Sequence, residues 1–180
     1  MTKRKLLLHT CCAPCSTHCV SELMKDYDVT MYFYNPNIHP FGEFERRLEN
    51  ARIVGKELGV PVVEAEYEPE DWLELIKGFE EEPEGGRRCK ICFSMRLKET
   101  ARYAKENGFN TFTTTMTISP HKDAALINSL GEGWSKKYKI AWVHSDFKKK
   151  DGFKKSGEMS KKMGLYRQNY CGCFYSVKNQ

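Results

Sequence analysis

Eight cysteines punctuate this 180-residue chain in three groups: Cys11-Cys12 with Cys15 and Cys19, then Cys89-x-x-Cys92, then Cys171-x-Cys173. Sulfur clustered this tightly points to metal ligation or electron exchange. Four thiolates satisfy the common ligation of a [4Fe-4S] cluster, and the preferred set is Cys11, Cys12, Cys89 and Cys92. The spacing of Cys89 and Cys92 lets two sulfurs reach one centre from a loop or helix start. Cys11 and Cys12 do the same only where the backbone turns sharply, because neighbouring strand side chains point oppositely. Zinc held tetrahedrally by thiolates is the alternative ion, and redox or inert thiols are the third reading. Cys12, Cys15 and Cys19 share a helical face at spacings of three and four. Cys15 is then a reserve ligand, and Cys19 a small buried apolar side chain.

Cys171-Gly172-Cys173 is a different kind of pair. Closing a disulfide over one residue strains it, and glycine supplies the backbone freedom such a closure needs. A strained, accessible disulfide is oxidising and readily reduced, which suits a pair that returns electrons to a centre or ligates a second metal. Tyr170, Phe174 and Tyr175 around it predict a packed segment.

Other residues frame these sulfurs. Arg87-Arg88 precedes Cys89, suited to phosphate or to balancing thiolate charge, and Arg46-Arg47, Arg96, Arg167 and Gln168 share that ambiguity. His121 and Asp123 follow Ser119-Pro120, as proton donors, ligands to an extra metal or helix-start residues. Tyr32, Tyr34 and His39, beside Asn35-Pro36-Asn37, have the chemistry to recognise a base by stacking and hydrogen bonding; core packing is the plainer reading for at least one tyrosine. There is no glycine-rich phosphate loop, since Gly131-x-Gly133 is too short a match, and no serine–histidine–acid constellation.

The elements that must position them alternate. Strands are predicted over 5–10, 29–34, 60–65, 109–115 and 141–143. Helices are predicted over 16–25, 41–58, 70–79, 93–107 and 121–130, with 146–157 left as a polar segment. This order favours one compact α/β domain with a largely parallel sheet and a ligand crevice beyond the strand C-termini. Cys11, Asn35–Asn37 and Ser119–Asp123 all follow strands. The length supports a real core without disulfide staples. Neither a secretory leader nor an apolar run of about 20 residues is visible, so a cytoplasmic protein with reduced cysteines and no membrane partner is expected. The net charge is +5, and residues 136–162 carry ten lysines against three acids. Such a face attracts a polyanion such as RNA, although a merely solvated lysine surface explains the charge equally well.

Six blocks spread in order along the chain resemble one family, the non-cobalamin, iron–sulfur epoxyqueuosine reductases QueH. They are His9-Thr10-Cys11-Cys12-Ala13-Pro14-Cys15, Tyr34-Asn35-Pro36-Asn37-Ile38-His39-Pro40, Arg88-Cys89-x-x-Cys92-Phe93-x-x-Arg96-Leu97, Ser119-Pro120-His121-Lys122-Asp123, Asp146-Phe147-Lys148-Lys149-x-Asp151-Gly152-Phe153 and Tyr166-Arg167-Gln168-x-Tyr170-Cys171-Gly172-Cys173. The resemblance implies a single domain over 1–180 with a sheet like that of adenine-nucleotide α-hydrolases (HUP-like), with 146–180 as a basic segment and redox tail packed on it. It also implies removal of the epoxide oxygen from epoxyqueuosine at the wobble position of tRNA, the last step of queuosine biosynthesis. Cys11, Cys12, Cys89 and Cys92 match the iron–sulfur positions, and Cys171 and Cys173 the redox-active pair. A mononuclear iron beside the cluster is implied too, with Asp123 or an uncommitted cysteine as its contact. The expected catalytic residues are thus Cys171, Cys173, Asp123 and His121, and the expected substrate contacts are Tyr34, Asn35, Asn37, His39, Arg88, Arg167, Lys148 and Lys149. The partners are epoxyqueuosine-bearing tRNA and an external electron donor. Two other classes compete: a tRNA sulfur transferase, weakened by the missing phosphate loop, and a zinc-stabilised RNA-binding protein.

Overall fold

The computed structural model describes residues 2–177, so the last three residues of the expected 146–180 tail lie outside the described residues. Leu6, Leu7 and Leu8 are wholly buried, as a strand covered on both faces must be. Their strand, β1 (Arg4–His9), lies at the centre of a five-stranded sheet. It pairs in parallel with β2 (Tyr27–Phe33) on one side and β4 (Thr111–Thr114) on the other. The short edge strands β3 (Val62–Glu64) and β5 (Ala141–Trp142) complete the order β3-β2-β1-β4-β5. Side chains alternate across this sheet. Leu6, Leu8, Val29, Met31 and Phe33 enter one core cluster with α1 (Ala13–Leu23) and α2 (Phe41–Leu58). Leu7, Tyr32 and Phe112 enter another with Ala101 and Ala104 of α4 (Arg87–Glu106). The predicted α/β domain with a parallel sheet is therefore what the chain forms.

Several boundaries differ from the sequence expectation, each for a local reason. The third helix, α3 (Pro69–Leu75), is shorter than predicted, and α4 starts at Arg87 rather than Phe93. The Glu82 carboxylate accepts from the Arg87 amide at 3.0 Å and caps the helix from outside its own sequence. Cys89 and Cys92 consequently sit inside the first turns of a helix, not in a preceding loop. Helix α5 (Ala124–Tyr138) begins after His121, because Asp123 is its N-cap and accepts from the Ala125 and Leu126 amides at 2.9 and 3.3 Å.

Helix α6 (Gly152–Lys162) begins inside the stretch read as a polar segment and runs past its end. Its buried positions are Gly152, Ser156 and Ser160, a stripe of small residues rather than apolar ones, packed on α1. The Ser156 hydroxyl donates to the Pro14 carbonyl there. A reading based on apolar periodicity does not detect a helix that docks by close approach of small polar residues.

Gly131, the first half of the rejected phosphate-loop match, lies within α5, where a Cβ would overlap the Trp142 ring. The Trp142 indole is fixed by a 3.0 Å bond to Asn128 Oδ1, so it cannot retreat freely. Gly131→Ala is expected to cost about 1–3 kcal/mol by overpacking, read as a lower urea midpoint at unchanged m-value.

Candidate metal and redox centre

The sheet order reverses direction between β1 and β4, and at that point a crevice opens beyond the strand C-termini. His9 ends β1 beneath it, completely buried. Burial and the nearby Arg96 charge depress its pKa to about 4, so the ring is neutral. Nε2 then donates to the Tyr34 carbonyl (3.1 Å) and Nδ1 accepts from the Thr114 hydroxyl (2.9 Å). One side chain thus ties the ends of β1, β2 and β4 together under the site.

The chain bends at Cys11, and Cys12 becomes the N-cap of α1, with Pro14 in its first turn. This is the turn that adjacent ligands require. The sulfurs of Cys11 and Cys12 lie 4.0 Å apart, and those of Cys11, Cys12 and Cys15 all fall within 4.8 Å of one another. Cys15, the reserve ligand of the sequence reading, is brought fully into the group. The three thiols share one readily lost proton. Hydrogen bonding with Cys12 and Cys15 holds the Cys11 thiol well below its ordinary pKa, helped by the Lys122 charge, while Cys12 and Cys15 are pushed up. Cys19 lies wholly buried in the core cluster of Leu6, Val20 and Leu48, and its pKa is raised by burial, as a packing residue's should be.

Cys89 and Cys92 open α4 on the facing side. They line a small cavity with Cys171, Cys173, Asn37, Trp72 and Arg88, holding about 10 Å³, roughly one water at most. Burial pushes Cys92 up to about 11 and raises Cys89 as well. The structure therefore pairs the second and third cysteine groups directly. The first group adjoins them, since Cys11 and Cys89 pack against the same cluster of Phe93, Leu97, Met116 and Ile127. All eight cysteines are free thiols.

Arg96 and Lys122 bring positive charge to these sulfurs. Arg96 is 1% exposed, and its Nη2 has no hydrogen-bond partner. Burial alone would lower its pKa, but the thiols of Cys92, Cys171, Cys11 and Cys89 outweigh that and hold it up. The Lys122 ammonium is treated the same way by Cys171, Cys11 and Cys15. Lys122 is a residue that sequence reasoning missed: it stood as a spacer between His121 and Asp123. Its signal was position alone, directly after a strand and turn that end at the crevice.

The tail is anchored over the site by named bonds. Arg47 donates to the carbonyls of Cys171 (2.9 Å) and Tyr170 (3.1 Å), and the His39 amide donates to the Gly172 carbonyl (2.8 Å). The Tyr170 hydroxyl donates to the His39 carbonyl (2.6 Å). Gly172 adopts φ +138°, and a Cβ there would meet Ile38 at 3.0 Å, so both backbone and space demand glycine.

The remaining predicted residues divide. Asn35 donates to the Thr10 carbonyl (2.9 Å), which fixes the loop after β2 against the end of β1. Asn35 Oδ1, Asn37 Oδ1, His39 Nε2 and Arg88 Nε are buried without partners. Tyr34 is mostly core, stacked on Tyr32. Arg167 is occupied in joining the tail to α6, through the Gly157 carbonyl and Ser160. His121 is exposed, and Asp123, also exposed, is engaged in capping α5. Lys148 donates to the Lys122 carbonyl (2.8 Å), and Lys149 lies 3.8 Å from Asp146. Lys149, Lys150, Lys155, His18 and His144 line an open surface cavity of about 520 Å³ alongside. Among the described residues, no helix is long and apolar enough to cross a membrane.

A solved structure similar to this one is the U34-tRNA thiolase NcsA from Methanococcus maripaludis with its [4Fe-4S] cluster. The TM-score is 0.65 at 14% identity, over 99% of this chain and 63% of that one, a likeness of fold that agrees with the expected HUP-like sheet. Curated relatives described as epoxyqueuosine reductase QueH are much closer in sequence. That of Streptococcus pyogenes is 44% identical over 97% of this chain and 71% of its own length, and that of Thermotoga maritima 34% identical over 96% and 90%. A family model described as epoxyqueuosine reductase QueH matches residues 6–179. With the cysteine groups in place at the switch point, this chain belongs to the epoxyqueuosine reductase QueH family.

Proposed function

We propose that this protein is an oxidoreductase that converts epoxyqueuosine at the tRNA wobble position to queuosine, in the cytoplasm, using an iron–sulfur centre and a redox cysteine pair. The carrying observation is the family match over residues 6–179, joined to a crevice where sulfurs and buried cations meet. The donor set fits a thiolate-bound metal. Two sulfurs on one tetrahedral ion with bonds of ~2.3 Å lie about 3.8 Å apart, so the 4.0 Å between Cys11 and Cys12 suits a single ion. A cluster instead takes one cysteine per iron and draws its support from the packing of Cys11 and Cys89 against one common core cluster. Arg96 and Lys122 supply positive charge where anionic ligation requires it. Cys11, Cys12, Cys89 and Cys92 would hold a [4Fe-4S] cluster. Cys15, or Asp123, is the contact for an adjacent mononuclear iron. When bound, such a centre supplies single electrons and a Lewis acid.

The chain's own groups do the rest. Lys148 and Lys149 attract the phosphates of the anticodon loop, next to Lys122 and the crevice. Asn35, Asn37, His39 and Arg88, whose buried polar atoms lack partners, offer hydrogen bonds to the modified base, with Tyr34 behind them and Arg167 holding α6 to the tail. His121 or Asp123 supplies protons to the departing oxygen. Both C–O bonds of the epoxide break, the oxygen leaves as water, and a carbon–carbon double bond forms, which takes two electrons and two protons. Oxidation of Cys171 and Cys173 to a disulfide releases the same two electrons and two protons. An external electron donor then restores the dithiol.

Epoxyqueuosine-bearing tRNA incubated with the anaerobically reconstituted protein and a low-potential reductant should lose one oxygen by mass spectrometry. A Cys171→Ser variant should not achieve this over multiple turnovers. Product formation at the wild-type rate by that variant would remove the cysteine pair from the cycle. No product from protein with an intact iron centre would overturn the reductase reading.

A further inference from the structure

Trp72 is completely buried, yet its indole N–H has no hydrogen-bond partner. An orphaned buried donor costs about 1–3 kcal/mol and calls for a reason. Trp72 shares a buried cluster with Cys92 and Cys173 and lines the same cavity as Cys89 and Cys92. A thiol sulfur is a weak acceptor and a metal-bound thiolate a strong one. A donor without a partner beside Cys92 is therefore matched to that sulfur in its ligated form.

Two further donors follow the same pattern. The Gly85 amide donates to Cys89 Sγ at 3.2 Å. Thr115 Oγ1 lies 3.5 Å from Cys11 Sγ and accepts from the Cys11 amide at 3.4 Å, which leaves its own proton for the sulfur. Two of the four expected cluster ligands thus each have a hydrogen-bonding group, from the turn before α4 and the turn after β4, and a third, Cys92, shares its buried cluster with the unpartnered Trp72 N–H of α3.

We propose that Trp72, acting on Cys92, is a potential-setting residue of the centre, with Thr115 on Cys11 and the Gly85 amide on Cys89 acting in the same direction. Hydrogen bonds to ligating sulfur withdraw charge and stabilise the reduced, more negative state, which raises the reduction potential. The inference rests on the iron–sulfur reading above.

The test is redox titration of the full chain, reconstituted with iron and sulfide, as wild type, Trp72→Phe and Thr115→Val, with iron content measured in each. Trp72→Phe keeps the ring and removes the donor. It is expected to retain the wild-type iron content and to be about tenfold harder to reduce, which for a one-electron couple is about 59 mV more negative. Thr115→Val should shift the same way. Unchanged potentials in both variants with iron retained would overturn the proposal, even if their melting temperatures fall, because that is the signature of a purely structural role. If Trp72→Phe does not fold, Thr115→Val decides alone: a negative shift supports the proposal and no shift overturns it. Wild-type protein that takes up no iron–sulfur centre would instead defeat the functional reading itself, and this proposal with it.

Discussion

Cys11→Ser is expected to lose its iron and its epoxide reduction together while leaving the fold intact. Cys11 is the thiol whose pKa is pulled well down, by hydrogen bonding with Cys12 and Cys15 and by the Lys122 charge. It is also half-buried at the crevice, so its loss removes little packing, on the order of 1 kcal/mol or less. Serine preserves the size and the contact with Thr115 but not the soft thiolate donor. Replacing even outer partners of a metal ligand costs 10–100-fold, so the loss of a ligand should lower turnover by at least about two orders of magnitude. Iron content, the visible absorption of the reconstituted protein and the oxygen loss from tRNA are the readouts. Cys19→Ala provides the contrast. It should keep iron and activity and lose only stability, about 1–2 kcal/mol, for a trimmed core side chain. Full iron loading and turnover in Cys11→Ser would remove this residue from the centre.

Arg47→Met is expected to give the largest stability loss of any single change considered. Arg47 and Glu43 form a 2.7 Å ion pair with side chains only 2% and 9% exposed. Removing one partner strands the other charge away from water, which costs roughly 3–5 kcal/mol. Glu43 would keep its bond from the Tyr166 hydroxyl (3.0 Å), which softens the loss without cancelling it. The same guanidinium binds the carbonyls of Tyr170 and Cys171 and stacks on the Tyr170 ring at 5.0 Å. Its loss should therefore also expose the tail to limited proteolysis. Urea denaturation of Arg47→Met, Glu43→Gln and the double variant checks this, with the double variant less destabilised than the sum of the singles. A loss below about 1 kcal/mol in Arg47→Met would refute it.

The fold was largely legible because β1, β2, α1 and α2 carry strong patterns. Leu6–Leu8 form an unbroken apolar run, and α2 has an apolar stripe closed by Gly59 in the left-handed conformation. The failures share a physical cause. Helix α6 docks through Gly152, Ser156 and Ser160, and the start of α4 is capped by Glu82, five residues upstream of the amide it binds. Neither device leaves an apolar period. The cysteines of the site were visible from type and spacing, but their grouping was not. Whether Cys15 joins Cys11 and Cys12 depends on the bend at Cys11, and whether Cys171 meets Cys92 depends on Arg47, 124 residues away in sequence. Lys122, Thr115 and Trp72 carry no spacing signal. Only the folded sheet shows that all three adjoin sulfur.

The pairing of β1 carries a consequence for biogenesis. Its first neighbour, β2, follows within a few dozen residues, but Leu6 meets Thr111 only after the intervening segment has been made. At ~5–20 residues per second, synthesis of those roughly one hundred residues takes about 5–20 s. During that interval Cys11 and Cys12 stand at an unfinished sheet edge, without Thr115, Cys89 or the tail. A metal that draws on all of these thiols would find its full ligand set only in the finished fold.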